Sequence, residues 1–151
     1  MANKQTILLL TDFSTLANRA ADIALELAVN NKKDLLIYNS IIYIEDLVTS
    51  GERNSSPEEI KKKTDKSEAG LTQIVSRLKL KLNADEQSLP TITAKSGMGG
   101  PMETILNLVA QNDVWMVVMG NHDDQQMANQ YFDTNVPFVM SNCGCPLLLV
   151  P

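Results

Sequence analysis

The hydrophobic residues of this chain follow two patterns that alternate along the sequence. Short apolar runs, each bounded by turn residues, are typical of parallel strands that are buried on both faces. Between them lie longer segments whose apolar residues recur every three or four positions, as on one face of a helix. The runs predict five strands, near residues 6–10, 35–39, 91–95, 115–119 and 147–150.

The intervening segments predict four helices, near residues 16–28, 57–82, 101–111 and 134–142. Ser14 or Thr15 can cap the first helix, because a side-chain oxygen satisfies an otherwise free amide of the first turn. Ser56 followed by Pro57 is a comparable start for the second helix. Strands that alternate with helices form a mainly parallel sheet with helices on both faces, so the sequence predicts a doubly wound α/β fold.

Composition narrows the functional classes. The 151 residues predict one domain, residues 1–151, and a content of 44% hydrophobic and 21% charged residues is ordinary for a globular protein. A net charge of −5 argues against a nucleic-acid surface, which needs clustered positive charge. No apolar stretch reaches the length of a membrane span, and the N-terminal residues do not resemble a signal peptide. We therefore expect a cytoplasmic protein with no membrane or nucleic-acid partner.

Two local clusters have plain interpretations. Four lysines near the start of the second helix, Lys61, Lys62, Lys63 and Lys66, are interpreted as a solvated face because acidic residues lie among them. Cys143 and Cys145 are too close in sequence for an ordinary stabilising cross-link and lack two further ligands for zinc. These cysteines are predicted to be buried or half-buried thiols.

Four segments of the chain read I-L-L-L-T-D-F-S at residues 7–14, G-G-P-M-E-T-I at 99–105, V-V-M-G at 117–120 and C-P-L-L-L-V at 145–150. In their order and spacing they resemble the universal stress protein family. The resemblance implies a single five-stranded parallel sheet of order 3-2-1-4-5. It also implies a homodimer formed through the last strand, Leu147, Leu148, Leu149 and Val150. In many members it implies ATP bound between the first and fourth strands.

Two of the three glycines of the family's phosphate loop are replaced here. The first glycine is kept as Gly120, whereas Asp123 and Asp133 occupy the second and third positions and Thr134 keeps the following hydroxyl. Glycine lets the backbone approach phosphate closely, and each aspartate adds a side chain and a negative charge instead. Asp133 could also cap a helix and point away from the ligand. We therefore expect weak or lost ATP binding and no cofactor, with ATP and Mg²⁺ as the alternative.

Open α/β sheets bind ligands in the crevice beyond the carboxyl ends of their strands. This places the predicted ligand crevice at eight residues: Thr11, Asp12, Gly120, Asn121, His122, Asp123, Asp133 and Thr134. Asp12 matches the family's adenosine-side aspartate, but it is equally interpreted as a solvent-facing residue beside a helix start. Trp115 is interpreted as a core residue rather than as a contact for a base.

Catalytic and metal chemistry have little support in the sequence. His122 and the aspartates Asp123, Asp124 and Asp133 could hold a divalent cation, but a polar surface loop is the simpler interpretation, and no metal is expected. No nucleophile elbow or P-loop lysine motif is present, so no catalytic residue is predicted. The predicted function is a non-enzymatic stress-response module. The alternative is an adenine-nucleotide-binding protein with slow hydrolysis, in which Asp12 and His122 approach each other.

Overall fold

The computed structural model of the protein describes residues 4–41, 57–84, 88–98, 101–120 and 141–151. The described elements, in chain order, are β1 (Thr6–Leu10), α1 (Thr15–Asn31), β2 (Asp34–Ile41), α2 (Pro57–Leu80), β3 (Ile92–Met98), α3 (Pro101–Gln111), β4 (Val114–Gly120) and β5 (Leu147–Val150). The five strands form one sheet of order β3-β2-β1-β4-β5, in which every pair is parallel. This confirms the predicted fold class and strand order.

Successive residues of the central strands face opposite layers of the core. Leu35 and Ile37 of β2 contribute to a cluster that also contains buried residues of α1 and α2. Leu36 and Tyr38 contribute to a second cluster, which contains Ile105 of α3. Side chains alternate between the two faces of a strand, so an uninterrupted apolar run is needed where both faces are covered. This is the physical reason for the pattern from which the strands were predicted.

Helix α1 begins and ends as the sequence predicts. The Ser14 hydroxyl accepts a hydrogen bond from the Ala17 backbone N–H at 3.1 Å, so Ser14 rather than Thr15 is the cap. At the other end Lys32 adopts a left-handed conformation with φ of 54°. The backbone N–H of Lys33 then donates to the Ala28 carbonyl at 2.9 Å, which satisfies one of the free carbonyls at the helix end.

Gly97 is the clearest departure from the predicted boundaries. The sequence predicts a third strand over residues 91–95 and a flexible turn at residues 97–100, but β3 continues to Met98. Tyr38 on the adjacent strand explains why residue 97 is glycine, because an added Cβ would stand 2.3 Å from the Tyr38 hydroxyl oxygen. Gly97 is therefore a site of close approach within the sheet, and the prediction of a turn there was wrong.

Other expectations are met in part. Trp115 is half-buried against the core, with the Lys33 Nζ atom 5.0 Å from the centre of its ring. Cys143 is a buried free thiol and Cys145 is a half-buried one, which confirms that prediction.

Ser56 and most of the predicted last helix lie outside the described residues, although Ser141 and the residue after it are helical. Within the described ranges, no helix has the length and apolar character needed to cross a membrane.

Candidate functional site

The turn between β1 and α1 is held by its own polar side chains. The Thr11 Oγ1 atom accepts a hydrogen bond from the Phe13 N–H at 3.0 Å. The Asp12 Oδ1 atom accepts one from the Ser14 N–H at 2.9 Å. These short-range bonds are typical of turns before helices, because they satisfy backbone donors that the helix itself leaves free. Asp12 is therefore fixed in place and has a structural role, whatever ligand role it also has.

Phe13 occupies an unusual conformation that a neighbouring helix supports. Its φ of 66° lies in the left-handed region, which bulky residues rarely adopt. Its ring packs against Gly70 of α2, where an added Cβ would stand 2.7 Å from the Phe13 Cε1 atom. Glycine is unfavourable in a helix interior, so its presence in α2 has this packing reason. The turn that carries Asp12 thus rests on α2.

A chain of buried hydrogen bonds joins three elements at the carboxyl end of the sheet. The Asn39 Nδ2 atom of β2 donates to the Thr11 carbonyl oxygen at 2.7 Å. The Ser67 hydroxyl of α2 donates to Asn39 Oδ1 at 2.8 Å. Thr11, Asn39 and Ser67 are 2%, 9% and 3% exposed. A polar group buried without a partner is costly, so these three residues depend on one another.

Gly120 lets β4 pack closely against the backbone of α1. An added Cβ at residue 120 would stand 3.0 Å from both the carbonyl carbon and the carbonyl oxygen of Leu16, and 3.2 Å from the Ala17 nitrogen. All three are backbone atoms of α1, which cannot move aside as a flexible side chain does. The glycine at this position therefore has a reason that is independent of phosphate binding.

Three of the eight predicted crevice residues lie within the described structure. Leu10 pairs with Met119, so Thr11 and Asp12, which follow β1, lie at the same end of the sheet as Gly120. The other five, Asn121, His122, Asp123, Asp133 and Thr134, lie outside the described residues. The ligand role of all eight stays a prediction. In the described part of the chain, no three His, Cys, Asp or Glu residues are grouped closely enough to hold a metal ion.

Sequence reasoning missed Asn39, Ser67 and Phe13 as parts of this end of the sheet. Three sequence features could have indicated them. Asn39 is an amide near the end of an apolar strand, Ser67 falls on the buried face of α2, and the glycine inside α2 lies opposite Phe13. None of them shows its partner in the sequence, since Asn39 and Ser67 are 28 residues apart.

The sequence model of the universal stress protein family matches residues 4–151. The chain belongs to this family. As a universal stress protein it carries the family's parallel five-stranded sheet, and the resemblance noted from the four sequence segments is confirmed. No curated protein sequence matches it.

Solved structures support the fold of this universal stress protein. One described as a universal stress protein in complex with cAMP is 19% identical, has a TM-score of 0.68, and is matched over 99% of each chain. UspA from Lactobacillus plantarum is 16% identical with a TM-score of 0.65, over 100% of each chain. A universal stress protein from Archaeoglobus fulgidus in complex with dAMP is 14% identical with a TM-score of 0.59, again over 100% of each chain. Identities this low show the shared fold alone.

Proposed function

We propose that this universal stress protein is a non-enzymatic, cytoplasmic stress-response module whose crevice binds ATP weakly or not at all. The observation that carries the proposal is the close approach of Gly120 to the α1 backbone. Because this close packing by itself favours glycine, the presence of Gly120 is weak evidence for a phosphate loop. The other two glycine positions of the family pattern hold Asp123 and Asp133.

The electrostatic argument points in the same direction. Two unit charges about 4 Å apart repel by roughly 1 kcal/mol in water and by about 4 kcal/mol near a protein surface. Two aspartates that face a triphosphate would therefore cancel several of the ~8 kcal/mol behind a micromolar dissociation constant. Magnesium offsets part of this repulsion by neutralising phosphate charge.

The adenosine side of the crevice supports the alternative, an adenine-nucleotide ligand with fewer phosphates. The β1–α1 turn holds Asp12 in place, because the Ser14 N–H donates to one of its two carboxylate oxygens. Related structures are described as complexes with cAMP and dAMP. A monophosphate carries less negative charge toward Asp123 and Asp133 than ATP does, so it meets less repulsion.

Isothermal titration of ATP and AMP, each with and without Mg²⁺, tests the proposal. We expect the unmodified protein to show no micromolar ATP binding, and Asp123→Gly with Asp133→Gly to create or strengthen it. The matched control is Asp124→Gly, which removes the same charge from the same segment at a position that the family's glycine pattern does not use. Micromolar ATP binding by the unmodified protein contradicts the proposal. Phosphate release during incubation with ATP favours the hydrolase alternative.

We also propose that the protein forms a homodimer through its edge strand β5. In the described sheet β5 pairs only with β4, so its outer edge is available. Its side chains Leu147 and Leu148 are half-buried and Leu149 is 41% exposed. An apolar edge strand left free invites pairing with another strand, and pairing with its symmetry mate is a closed solution.

Sedimentation at protein concentrations of tens of micromolar tests the dimer. We expect the unmodified chain to sediment as a dimer and Leu149→Lys to sediment as a monomer, because lysine on an edge strand opposes pairing. Leu80→Lys is the matched control, since Leu80 is a more exposed leucine on a different surface, at the end of α2. An unmodified chain that sediments as a monomer contradicts this part of the proposal.

A further inference from the structure

The two cysteines of the chain are in direct contact. The Cys145 thiol donates to the Cys143 sulfur with the two Sγ atoms 3.7 Å apart. The Cys143 thiol in turn donates to the backbone carbonyl oxygen of Cys145, which is 3.3 Å away. Both side chains are therefore turned toward each other across the single intervening residue, and neither sulfur faces away from the pair.

The residue between them gives the pair freedom to move. Gly144 has a φ of 70°, a left-handed conformation that favours glycine. Among the residues that the structure describes, nothing lies within 4 Å of an added Cβ at this position. Cys143 is buried in the cluster beneath α3, whereas Cys145 is only partly buried and can be reached from solvent. Cys145 is therefore the more exposed residue of the pair.

We propose that Cys143 and Cys145 form a reversible thiol–disulfide site that small disulfide oxidants, such as glutathione disulfide, convert into an intramolecular disulfide. The bond requires the sulfur separation to shorten from 3.7 Å to about 2.05 Å. The side-chain torsions of both cysteines and the permissive backbone of Gly144 supply that movement.

The chemistry follows the ordinary exchange pathway. The Cys145 thiolate attacks one sulfur of glutathione disulfide, forms a mixed disulfide and releases one glutathione thiolate. The Cys143 thiolate then attacks the Cys145 sulfur and displaces the second glutathione. The two protein thiols are oxidised, one glutathione disulfide is reduced to two glutathiones, and the two protein protons pass through solvent to the leaving thiolates.

The proposed disulfide would be a redox-active bond and would add little to the stability of the fold. Closing a loop of three residues removes little entropy from the unfolded chain, so the bond adds little to stability. Cys145 comes just before β5, whereas Gly120 in the crevice pairs with Val150 at the end of β5. The site therefore lies away from the predicted nucleotide site and does not depend on the proposed function.

The test uses the complete reduced chain, incubated with glutathione disulfide at pH 8 in its native state. The reaction is stopped with acid, the protein is unfolded, and free thiols are counted by maleimide labelling and intact mass. We expect a monomeric product that accepts no maleimide, carries no glutathione and has lost two hydrogen atoms. Reduction with dithiothreitol should restore two labelled thiols.

Single substitutions separate the two steps. Cys143→Ala removes the second nucleophile, so the mixed disulfide on Cys145 should accumulate with one glutathione per chain. Cys145→Ala leaves only the buried thiol, which should react far more slowly. If Cys143→Ala is unfolded by circular dichroism, Cys143→Ser provides the same trap.

Three outcomes overturn the proposal. The first is a native chain that keeps two free thiols even when the pH is raised to bring Cys145 into its reactive thiolate form. The second is a product that retains two glutathiones, and the third is a product linked between two chains.

Discussion

Ser67 in the middle of α2 donates a buried hydrogen bond of 2.8 Å to Asn39 Oδ1 at the carboxyl end of β2. The Asn39 Nδ2 atom donates to the Thr11 carbonyl oxygen at 2.7 Å, so these bonds join α2, β2 and the turn after β1. They lie at the end of the sheet where ligands bind in this type of fold.

Removing the Ser67 hydroxyl should therefore be costly. In Ser67→Ala the Asn39 carbonyl oxygen stays buried and loses its donor, for which we expect a loss of about 1–3 kcal/mol in the free energy of unfolding. Urea unfolding measures it. Ser76→Ala is the matched control, because it makes the same change at an exposed position of the same helix. Equal effects of the two substitutions would contradict the structural role of Ser67.

Gly70→Ala should destabilise the protein although alanine favours helices. In an exposed helix interior this change gains about 1 kcal/mol. Here the new methyl group meets the Phe13 ring, and the net effect should be unfavourable. A double-mutant cycle with Phe13→Leu measures the interaction directly, since the smaller side chain relieves the contact. Additive effects of the two substitutions would show that the Phe13 ring and the methyl group added at residue 70 do not interact.

Gly120→Ala should lower stability in the absence of any ligand. The added Cβ approaches backbone atoms of Leu16, and overpacking of this kind costs about 1–3 kcal/mol. Thermal unfolding of the nucleotide-free protein is the measurement. An unchanged melting temperature would remove the packing explanation for this glycine and restore a phosphate-binding explanation.

Asp22 should make a small, pH-dependent contribution to stability. Burial alone raises the pKa of Asp22, but hydrogen bonds from Lys81 and Arg77, together with their charges, outweigh it and lower the pKa below 3.8. Because the folded pKa is the lower one, the contribution is present above the unfolded pKa and is lost as pH falls through the folded pKa. The side chains are substantially exposed, so Asp22→Asn should cost no more than about 1 kcal/mol.

Urea unfolding at neutral and acidic pH checks this expectation. The difference between the unmodified protein and Asp22→Asn should be largest at neutral pH and vanish at the lowest pH. Glu26→Gln, at an exposed position of the same helix, controls for the loss of one acidic charge. A difference that grows toward acidic pH would contradict the direction of the Asp22 pKa shift.

Cys145 should be a slow nucleophile at neutral pH. Burial, the hydrogen bond with Cys143 and the negative charge that Cys143 can carry raise the pKa of Cys145 from 9.0 to about 11. Because the thiolate is the reactive form, its alkylation by iodoacetamide in the folded protein should keep rising with pH beyond 9. The unfolded chain is the reference, and its rate should level off at lower pH. Coincident pH profiles would show that the fold does not protect this thiol.

The apolar runs predicted the sheet because strands covered on both faces have no alternative pattern. The end of β3 was predicted too early, because Gly97 was interpreted as part of a turn, where glycine is common. The Tyr38 hydroxyl, which leaves room only for glycine at this position, lies on another strand. Asn39 and Ser67 could not be paired from sequence for the same reason, because a buried polar bond between distant residues leaves no local signal. The retained Gly120 was predicted as a phosphate-loop residue, whereas its contact with α1 depends on the tertiary packing.

The buried hydrogen bonds among Thr11, Asn39 and Ser67 also limit what a ligand can gain at this end of the sheet. The Thr11 carbonyl and hydroxyl oxygens accept from Asn39 and from the Phe13 N–H, and the Asn39 amide is bonded through both of its polar atoms. If the predicted crevice binds a ligand, the ligand would meet buried polar groups that already bond to one another. Displacing those bonds would only exchange one set for another. The half-buried Asp12, next to Thr11 in the turn, would then be the better placed group to give selectivity.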